Sequence, residues 1–400
     1  MLFRSGVWLA ESYSPQTGGG SSYYDVLISA IDAHAFRAVD VVFVALQDAP
    51  PGICKEVVVL PRFAAWVNWM FKKVATLFPE RIAREIRCSG EACAIQYLRA
   101  RAVDLIFYPI QDRVFLTELP YVASHWDTGP LSTYGFPELV NGGVLEDRTQ
   151  AWERFLLKAL LVLCESEAGR KETIRYCGIN PDRIKVVPLV AGQSGKIAGS
   201  ENEERVALER FHLQPGRYFF YPAQFWAHKN HYGLVAAFQM VVRDVPDLKL
   251  VLTGADKGNS AYIERCVSDF ELDESVVFAG FVSVPTIAAL YRHAAALVMP
   301  SYLGPTNMPL IEALQHHCPV VCSDLEGHRE IMSTAALYFR PSDHAEMAAR
   351  MQQALAPAQR AALIEAGKRR LHDTPFTITH AVQSLEQALG DLVPIRLCWS

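Results

Sequence analysis

The sequence predicts an α/β protein of two domains, each built on a parallel β-sheet, that face each other across a cleft. Three observations support this fold class. The chain has 400 residues, which exceeds what one hydrophobic core usually serves. Short apolar runs alternate with longer amphipathic segments, as strands alternate with crossover helices. A segment rich in Gly, Ser and charged residues, 191–204, lies near the middle of the chain.

The predicted strands are short, rich in β-branched and aromatic residues, and almost continuously apolar. Such runs are typical of strands that helices cover on both faces, as in parallel sheets. Some precede the central segment and some follow it, which gives one sheet to each domain. The predicted strands are Val41–Leu46, Leu105–Tyr108, Tyr121–Ser124, Leu161–Cys164, Lys185–Pro188, Tyr218–Tyr221, Lys249–Thr253, Val276–Ala279, Ala296–Met299 and Val320–Ser323.

The central segment, AGQSGKIAGSENEE at 191–204, has the composition of a linker. We therefore predict a first domain at 1–192 and a second at 205–374. Near the end of the chain, the run His372–Phe376 interrupts a helical pattern that then resumes. Residues 375–400 are predicted to form a C-terminal helix that returns toward the first domain. Ligands of open parallel sheets bind in the crevice outside the carboxyl ends of the strands.

Composition and charge narrow the class of protein. The formal net charge is −5, so no net positive field is present to attract a nucleic-acid backbone, and no nucleic-acid partner is expected. No run of 18 uncharged apolar residues occurs, and the start has no signal-peptide pattern. The nine cysteines are scattered, without a C-x-x-C motif. We expect reduced thiols and a cytoplasmic location, with peripheral attachment to the inner face of the membrane as an open option.

The segment 300–314 is the most informative part of the chain. An apolar run, Ala295–Met299, ends at a proline, and a Gly-Pro-Thr-Asn turn leads into a helix that starts near Pro309. The turn presents free backbone N–H groups and the positive end of the helix dipole, which together favour an anion. Glu312 follows one turn into that helix. Phosphate at the N–H groups and ribose hydroxyls at the carboxylate would suit a sugar nucleotide.

Short motifs follow one another along the chain, each weak alone but specific in their joint order. They are Gly18–Ser21, His125–Asp127, Cys164–Gly169, Val186–Pro188, Tyr221–His231, Leu252–Gly254, Phe278–Val282, Gly304–Glu312 and Cys318–Asp324. In this order the chain resembles the family 4 retaining glycosyltransferases of the GT-B fold over nearly its whole length. The resemblance implies two Rossmann-like domains. It also implies a nucleotide-diphosphate sugar bound mostly to the second domain and an acceptor bound to the first.

The resemblance assigns the donor phosphates to a basic residue, here Lys229, in the turn after a strand. A surface lysine is the plain alternative, but the strand–turn–helix context favours a phosphate contact. The family usually has an Arg five residues earlier, where this chain has Gln224. Gln can hydrogen-bond phosphate but cannot neutralise it. Arg292, Arg329 and His228 are the candidates to supply the missing charge.

The second family signature is a pair of glutamates separated by seven residues. Glu312 matches the second and is expected to bind ribose; the alternative is a glutamate that only favours the helix dipole. Gly304 stands at the position of the first, which normally meets the hydroxyls of the transferred sugar. We therefore predict that Thr306, Asn307 and Met308 take over sugar and phosphate contacts.

The first domain contributes further candidates. Gly19 and Gly20 either form a flexible turn or allow the backbone to approach the diphosphate. His125 and Asp127 follow a predicted strand, so they point at the cleft. The sequence leaves open whether they orient the acceptor or the transferred sugar, or whether His125 is a structural histidine paired with a carboxylate.

Two further segments are assigned less directly. Phe281 and Val282 follow another strand, and the resemblance implies that their backbone meets the nucleotide base, with ordinary loop packing as the alternative. The segment 63–87 is both basic and aromatic. It fits either a membrane-surface contact or amphipathic helices whose tryptophans face the core, and we favour the second interpretation.

The function predicted from these motifs is a retaining hexosyltransferase for a glycan or lipid-linked glycan acceptor. A mannose- or rhamnose-type donor is the preferred guess, because the Gly-Pro-Thr-Asn variant looks most like such members. No cofactor and no metal ion are expected, since Lys229 and the helix dipoles serve the phosphates. The alternatives are a catalytically weak binding subunit and a sugar-nucleotide epimerase. The oligomeric state is left open.

Overall fold

The computed structural model describes residues 3–9, 19–46, 51–111, 114–133, 135–196 and 200–399. Two parallel sheets, one in each half of the chain, form the two domains. Helices pack against the sheets, and the strands are buried, so apolar residues dominate both cores. This is the α/β arrangement of two facing Rossmann-like domains that the sequence predicts.

The first sheet has seven parallel strands in the order β3-β2-β1-β4-β5-β6-β7. Its strands are β1 Phe3–Trp8, β2 Val39–Ala45, β3 Val57–Val59, β4 Val103–Tyr108, β5 Tyr121–His125, β6 Leu161–Cys164 and β7 Ile184–Val186. Its helices are α1 Gly19–Ala33, α2 Arg62–Ala75, α3 Glu80–Arg99, α4 Gly129–Ser132, α5 Pro137–Val140, α6 Val144–Ala151 and α7 Glu167–Cys177. A π-helical turn, Trp152–Leu156, extends α6.

The second sheet has six parallel strands in the order β10-β9-β8-β11-β12-β13. Its strands are β8 Tyr218–Pro222, β9 Lys249–Thr253, β10 Val276–Gly280, β11 Ala296–Met299, β12 Val320–Ser323 and β13 Ala336–Phe339. The remaining helices are α8 Glu201–Arg210, α9 His231–Val242, α10 Ser260–Asp269, α11 Val284–His293, α12 Met308–Gln315, α13 Glu326–Met332, α14 His344–Leu355, α15 Pro357–Asp373, α16 Ile378–Gly390 and α17 Val393–Arg396.

Every strand predicted from the sequence is present, and four of them, including β6 and β9, have the predicted bounds. Three strands were not predicted: β1, β3 and β13. β1 lies at the centre of the first sheet, but Arg4, Ser5 and Gly6 interrupt its apolar character. The sheet accommodates these residues because Arg4 pairs with Asp40 of β2 at 2.7 Å. A Cβ on Gly6 would lie 2.6 Å from the side chain of Val44.

The C-terminal helices cross back to the first domain, as predicted. Glu386 of α16 accepts hydrogen bonds from the backbone N–H of Arg37 at 2.6 Å and pairs with His34 Nε2 at 2.8 Å. Arg396 of α17 pairs with Asp104 at 2.9 Å. The predicted linker contains a short 3₁₀ turn, Gln193–Lys196, and α8 begins before residue 205. The limits 1–192, 205–374 and 375–400 remain a prediction.

The hairpin formed by α2 and α3 differs from the favoured interpretation of segment 63–87. Trp66 and Trp69 are 52% and 53% exposed, and Phe63 is 67% exposed. Lys72 instead turns inward, where Nζ donates to the carbonyl oxygen of Phe115 at 2.5 Å. The expectation that the tryptophans face the core is therefore wrong, because helix α3 covers the opposite face of α2. In the described parts of the chain, no helix is long and apolar enough to cross a membrane.

Candidate active site

A cleft of about 640 Å³ lies between the two domains. The first domain contributes the N-terminal turn of α1 and the residues that follow β5 and β6. The second contributes the turns that follow β8, β9, β10 and β11. All of these segments lie at the carboxyl ends of parallel strands, where ligands of open α/β sheets bind. Two helices, α1 and α12, direct their N-terminal ends at the cleft from opposite sides, which favours an anion between them.

Lys229 lines this cleft from a 3₁₀ turn, Ala227–Lys229, that follows β8. The hydroxyl of Tyr221 donates to the carbonyl oxygen of Lys229 at 2.8 Å. Asn230 has a φ of 58°, caps α9, and donates Nδ2 to the carbonyl oxygens of Pro300 and Pro341. These bonds fix the backbone of the turn from which the lysine side chain extends into the cleft.

Asn307 accepts a hydrogen bond from Lys229 Nζ at its Oδ1, at 3.3 Å. The other end of the amide, Nδ2, lies 2.8 Å from Nε2 of His328. Nδ1 of His328 lies 2.8 Å from the carbonyl oxygen of Ser323. A carbonyl can only accept, so Nδ1 carries the proton and Nε2 accepts from Asn307. Burial lowers the pKa of His328 to about 4, which keeps the ring neutral. His328 thereby turns the amide oxygen toward Lys229.

The charge of Lys229 is sensitive to pH. Burial lowers the pKa of Lys229 to about 8, and the negative charge of Asp127 opposes this shift only in part. The ammonium group is therefore present at neutral pH but is lost in the alkaline range. Lys229 is the only Lys or Arg among the described residues that line the cleft.

Gly304 adopts a backbone φ of 138°, a value that residues other than glycine rarely adopt. A Cβ at this position would overlap the amide of Asn307 and would also lie 2.8 Å from the carbonyl oxygen of Thr306. The absence of a carboxylate at 304 and the position of Asn307 are therefore linked: a side chain at 304 would displace the amide that contacts Lys229. Thr306, Asn307 and Met308 all line the cleft.

Glu312 lies on the cleft wall near the linker between the domains. Its Oε1 accepts from the hydroxyl of Ser194, and its Oε2 accepts from the hydroxyl of Tyr291 at 2.9 Å. Burial raises the pKa of Glu312, although these hydrogen bonds oppose the shift. The carboxyl group is thus held in place, with the hydroxyl of Ser194 where a ligand hydroxyl is expected.

Gln224 also lines the cleft, and its Oε1 accepts from Nε1 of Trp226 at 3.1 Å. Two of the three candidates for the missing positive charge lie elsewhere. Arg292 pairs with Glu204 at 2.7 Å, and Arg329 pairs with Asp324 at 2.5 Å. Only His228 lies on the cleft wall.

His228 does not replace the missing charge. Burial, together with the neighbouring charge of Lys229, lowers the pKa of His228 to about 4. The ring is therefore neutral at pH 7. Its Nδ1 and its backbone N–H both donate to Oε1 of Glu138 in the first domain, at 2.9 and 2.8 Å. This contact ties the two walls of the cleft together.

Asp127 faces the cleft, whereas His125 faces the interior of the first domain. Asp127 lines the cleft and pairs with Arg148 at 3.0 Å, and it accepts from the backbone N–H of Gly129 at 2.7 Å. His125 is buried against Trp152 and Cys177 and is absent from the described residues that line the cleft. This position favours a structural role for His125, but its ring contacts the thiol of Cys177 and not the carboxylate partner that the sequence alternative included.

The remaining candidates lie at the rims of the cleft. Gly20 lines the cleft in the first turn of α1, and Gly19 begins that helix; Gly18 lies outside the described residues. Phe281 and Val282 both line the opposite side, with Phe281 exposed and Val282 buried. All the predicted substrate-binding residues therefore line one cleft, with the exception of Gly19. Gly19 is the first residue of α1 and directly precedes the cleft residue Gly20.

Glu165 is a cleft residue to which the sequence assigned no role. It follows β6 at the carboxyl end of the first sheet, and Oε2 accepts from Oγ1 of Thr306 in the second domain at 2.8 Å. Burial raises the pKa of Glu165 to about 8, against the opposing effect of the Thr306 hydrogen bond. A charged residue directly after a buried strand is the sequence feature that could have identified it.

The second domain matches a known family. Residues 209–370 match the family described as glycosyl transferases group 1. The matched stretch contains Gln224, Lys229, Asn307 and Glu312, so it includes most of the cleft residues of that domain. The match supports a glycosyltransferase family for the protein.

Curated relatives are similar over part of the chain. The O-antigen chain mannosyltransferase B of Escherichia coli is 27% identical over 215 residues, which cover 52% of this chain and 56% of the relative. The O-antigen chain mannosyltransferase RfbU of Salmonella typhimurium is 28% identical over 195 residues, which cover 48% of this chain and 51% of the relative. The chain spans about half the length of the curated relatives it matches.

Solved structures match over nearly the whole chain. The crystal structure of HepE from Anabaena, in complex with UDP and glucose, superposes with a TM-score of 0.71. The match covers 97% of this chain and 100% of HepE, at 18% sequence identity. This similarity shows that the chain has the GT-B α/β fold.

Proposed function

We propose that the protein is a retaining glycosyltransferase that uses a nucleotide-diphosphate sugar. The observation that carries this proposal is the position of Lys229, a fixed ammonium group between the N-terminal ends of α1 and α12. An ammonium group and two helix N-termini are suited to a diphosphate and to the charge that builds on it when the sugar leaves. The relative described as an O-antigen chain mannosyltransferase and the neighbour in complex with UDP and glucose support this donor class.

The proposed reaction needs no carboxylate nucleophile. The bond between the anomeric carbon and the phosphate oxygen breaks, and a bond from the acceptor oxygen forms on the same face of the sugar. The acceptor proton passes to the departing phosphate oxygen. Lys229 stabilises the phosphate charge, and Asn307 holds the ammonium group in place. Asp127, which lies on the first-domain wall, is positioned to orient the acceptor hydroxyl or the sugar.

The transferred sugar is proposed to be a hexose of the mannose or rhamnose type. The two curated relatives described above are mannosyltransferases of O-antigen chains, which agrees with the guess from the Gly-Pro-Thr-Asn turn. The acceptor is proposed to be a glycan or a lipid-linked glycan on the first-domain side of the cleft. Glu312 is proposed to bind the ribose, after release of the Ser194 hydroxyl.

We also propose that the α2–α3 hairpin contacts a membrane surface. Trp66, Trp69 and Phe63 are exposed on it, together with the basic residues Lys73 and Arg84. Exposed aromatic and basic side chains on one face favour the boundary between lipid headgroups and acyl chains. A lipid-linked acceptor would then meet the enzyme at this surface.

The transfer proposal is tested with purified protein, a panel of nucleotide-diphosphate sugars and a lipid-linked glycan extract. The expected product carries one added hexose with the anomeric configuration of the donor, read by NMR. A product of inverted configuration would remove the retaining mechanism. Formation of an isomerised sugar nucleotide in the absence of acceptor would identify an epimerase instead.

A further inference from the structure

Glu165 reaches from the first domain into the second, where it meets the Gly-Pro-Thr-Asn turn. Its Oε2 accepts from Oγ1 of Thr306 at 2.8 Å, and the side chain lines the cleft. The residue is 8% exposed. The backbone carbonyl of Glu165 accepts from the N–H of Leu189, so the residue is fixed at the end of β6. The carboxyl group is thus held across the cleft by a single side-chain hydrogen bond.

The surroundings of Glu165 contain no compensating cation. The ionisable groups that face it are Tyr23 of α1 and Asp127 of the loop after β5, and no Lys or Arg among the described residues forms an ion pair with it. Burial of a carboxyl group without a cation costs stability. Groups with raised pKa values in clefts are typical of functional sites, and the pKa of Glu165 is raised to about 8 by burial.

The position of Glu165 is next to the phosphate contact. Thr306, its hydrogen-bond partner, directly precedes Asn307, which accepts from Lys229 Nζ at 3.3 Å. A sugar attached to a diphosphate at Lys229 extends to the neighbouring residues of the turn. The turn itself offers that sugar no carboxyl group, because Gly304 has no side chain and has no room for one.

The other carboxyl groups of the cleft differ from Glu165 in their surroundings. Oδ1 of Asp127 accepts from Arg148 and from the N–H of Gly129, so this carboxylate already faces a cation. Both oxygens of Glu312 accept from hydroxyl groups. Asp25 lies exposed on α1, where it accepts from Gln193. The hydrogen bond to Thr306 uses Oε2 of Glu165, and no other described residue donates a hydrogen bond to Oε1.

We propose that Glu165 binds hydroxyl groups of the transferred sugar, from the domain opposite to the one that holds the diphosphate. Sugar hydroxyls donate well to carboxylate oxygens, and such charge-assisted hydrogen bonds are short and strong. The proposal rests on the proposed function, because it places the sugar of a nucleotide-diphosphate sugar beside Lys229. In this proposal, residues of both domains together form the binding site for the sugar.

The competing interpretation is a structural latch, in which Glu165 only holds the two domains together through Thr306. Two variants separate these roles. Glu165→Gln keeps an oxygen that accepts from Thr306 but removes the second acceptor. Thr306→Val breaks the latch but leaves the carboxyl group. Glu167→Gln is the matched control, since Glu167 is exposed and pairs only with Arg170 among the described side chains.

The measurement is isothermal titration calorimetry, with each ligand titrated separately into the protein. The ligands form two pairs, each a free nucleotide and its sugar nucleotide: GDP and GDP-mannose, and UDP and UDP-glucose. We expect Glu165→Gln to bind the free nucleotide as the wild-type protein does. Its Kd for the sugar nucleotide should rise about tenfold, as for loss of one hydrogen bond to a charged group. Thr306→Val should raise that Kd less, and Glu167→Gln should leave both values unchanged.

A second readout follows the proton on Glu165. Hydroxyl donors favour the ionised carboxylate, so binding of the sugar nucleotide at pH 7 should release a proton. Titrations in two buffers of different ionisation enthalpy measure this release. We expect the wild-type protein to release more protons than Glu165→Gln does with the same ligand. A latch predicts no difference.

The possible outcomes separate this inference from the proposed function. If the wild-type protein binds neither member of either pair, the proposed function fails and the role of Glu165 fails with it. If it binds both members and Glu165→Gln retains full affinity for the sugar nucleotide, only the role of Glu165 is overturned. Loss of transfer with unchanged donor affinity would also overturn it, since that result assigns Glu165 to the acceptor.

Discussion

Asn307 presents its amide oxygen to Lys229 because its amide nitrogen is bound by His328. The two hydrogen bonds, of 3.3 and 2.8 Å, leave the amide only one orientation. His328 is in turn held by the carbonyl oxygen of Ser323, the last residue of β12. The position of the cleft ammonium group is therefore set by a buried relay from β12 and α13 rather than by a flexible side chain.

Replacing Lys229 by alanine should lower kcat at least about 100-fold. The variant loses the positive charge that stabilises the negative charge of the departing diphosphate. The melting temperature should stay within a few degrees, since the turn is held by Tyr221 and Asn230. Initial rates and differential scanning fluorimetry measure the two effects. Lys368→Ala, an exposed lysine on α15, is the control and should behave as wild type. Normal turnover in Lys229→Ala would remove Lys229 from the mechanism.

Affinity for a nucleoside diphosphate should fall as the pH rises above about 8. The pKa of Lys229 is lowered to about 8 by burial, so the charged form is present below that pH and is lost above it. In the limit, affinity should fall about tenfold for each further pH unit. Titrations from pH 6.5 to 9.5 measure the profile. Lys229→Arg should flatten it, because arginine stays charged; an unchanged profile would assign the titration to another group.

Replacing His328 by alanine should change the orientation of Asn307 in the cleft, although His328 itself does not line the cleft. The Nδ2 of Asn307 would lose its 2.8 Å hydrogen bond in a buried site and keep only the 3.4 Å contact with the carbonyl oxygen of Leu303. We expect this to cost about 1–3 kcal/mol of unfolding free energy. Turnover should also fall about tenfold, because the amide is free to turn. Chemical denaturation and initial rates give the two values. His380→Ala on α16, an exposed position, is the control. A stability loss with unchanged kcat would mean that the orientation of Asn307 is not important for transfer.

Gly304→Ala should cost both stability and donor affinity. The backbone φ of 138° is strained for alanine, and the new Cβ overlaps the amide of Asn307. Gly142→Ala is a matched control: its φ is 65°, but no atom lies within 4 Å of the added Cβ. Strain alone should lower the unfolding free energy by about 1 kcal/mol in Gly142→Ala and by more in Gly304→Ala, because a φ of 138° lies outside the left-handed helical region. Only Gly304→Ala should also weaken nucleotide-sugar binding; equal binding in the two variants would contradict the link between Gly304 and Asn307.

Removing the exposed tryptophans should weaken binding to anionic vesicles. Trp66→Ala combined with Trp69→Ala removes two aromatic side chains from the α2–α3 hairpin. We expect vesicle affinity to fall about tenfold, with activity on a soluble acceptor retained. Sedimentation with phosphatidylglycerol vesicles measures the affinity. Tyr262→Ala, a surface aromatic of the second domain, is the control. If wild-type protein does not sediment with these vesicles, the hairpin serves another purpose.

The fold could be predicted from the sequence because most of its strands are continuous apolar runs. β6 and β9 are examples, and their bounds were predicted to the residue. β1 was missed because the polar residues Arg4 and Ser5 interrupt its apolar run, and the partner that holds Arg4 in the sheet, Asp40, is distant in sequence. β3 has only three residues, too few for a periodic pattern.

The candidate site was predicted less completely, for a physical reason. Local motifs identified Lys229, Asn307 and Glu312, which all follow strands of the second domain. The pairings that decide their chemistry are not local. Arg292 is neutralised by Glu204, and Glu165 meets Thr306 across the cleft. Such contacts join residues that are far apart in sequence and form only in the folded protein, so no sequence spacing reveals them.

The central claim is that the diphosphate of a sugar nucleotide lies between the two domains. A crystal structure of the protein soaked with GDP-mannose or UDP-glucose tests it most directly. We predict diphosphate oxygens within hydrogen-bond distance of Lys229 Nζ and of the backbone N–H groups that begin α12. A sugar nucleotide bound elsewhere on the surface, with Lys229 and Asn307 still bonded only to each other, would contradict the claim.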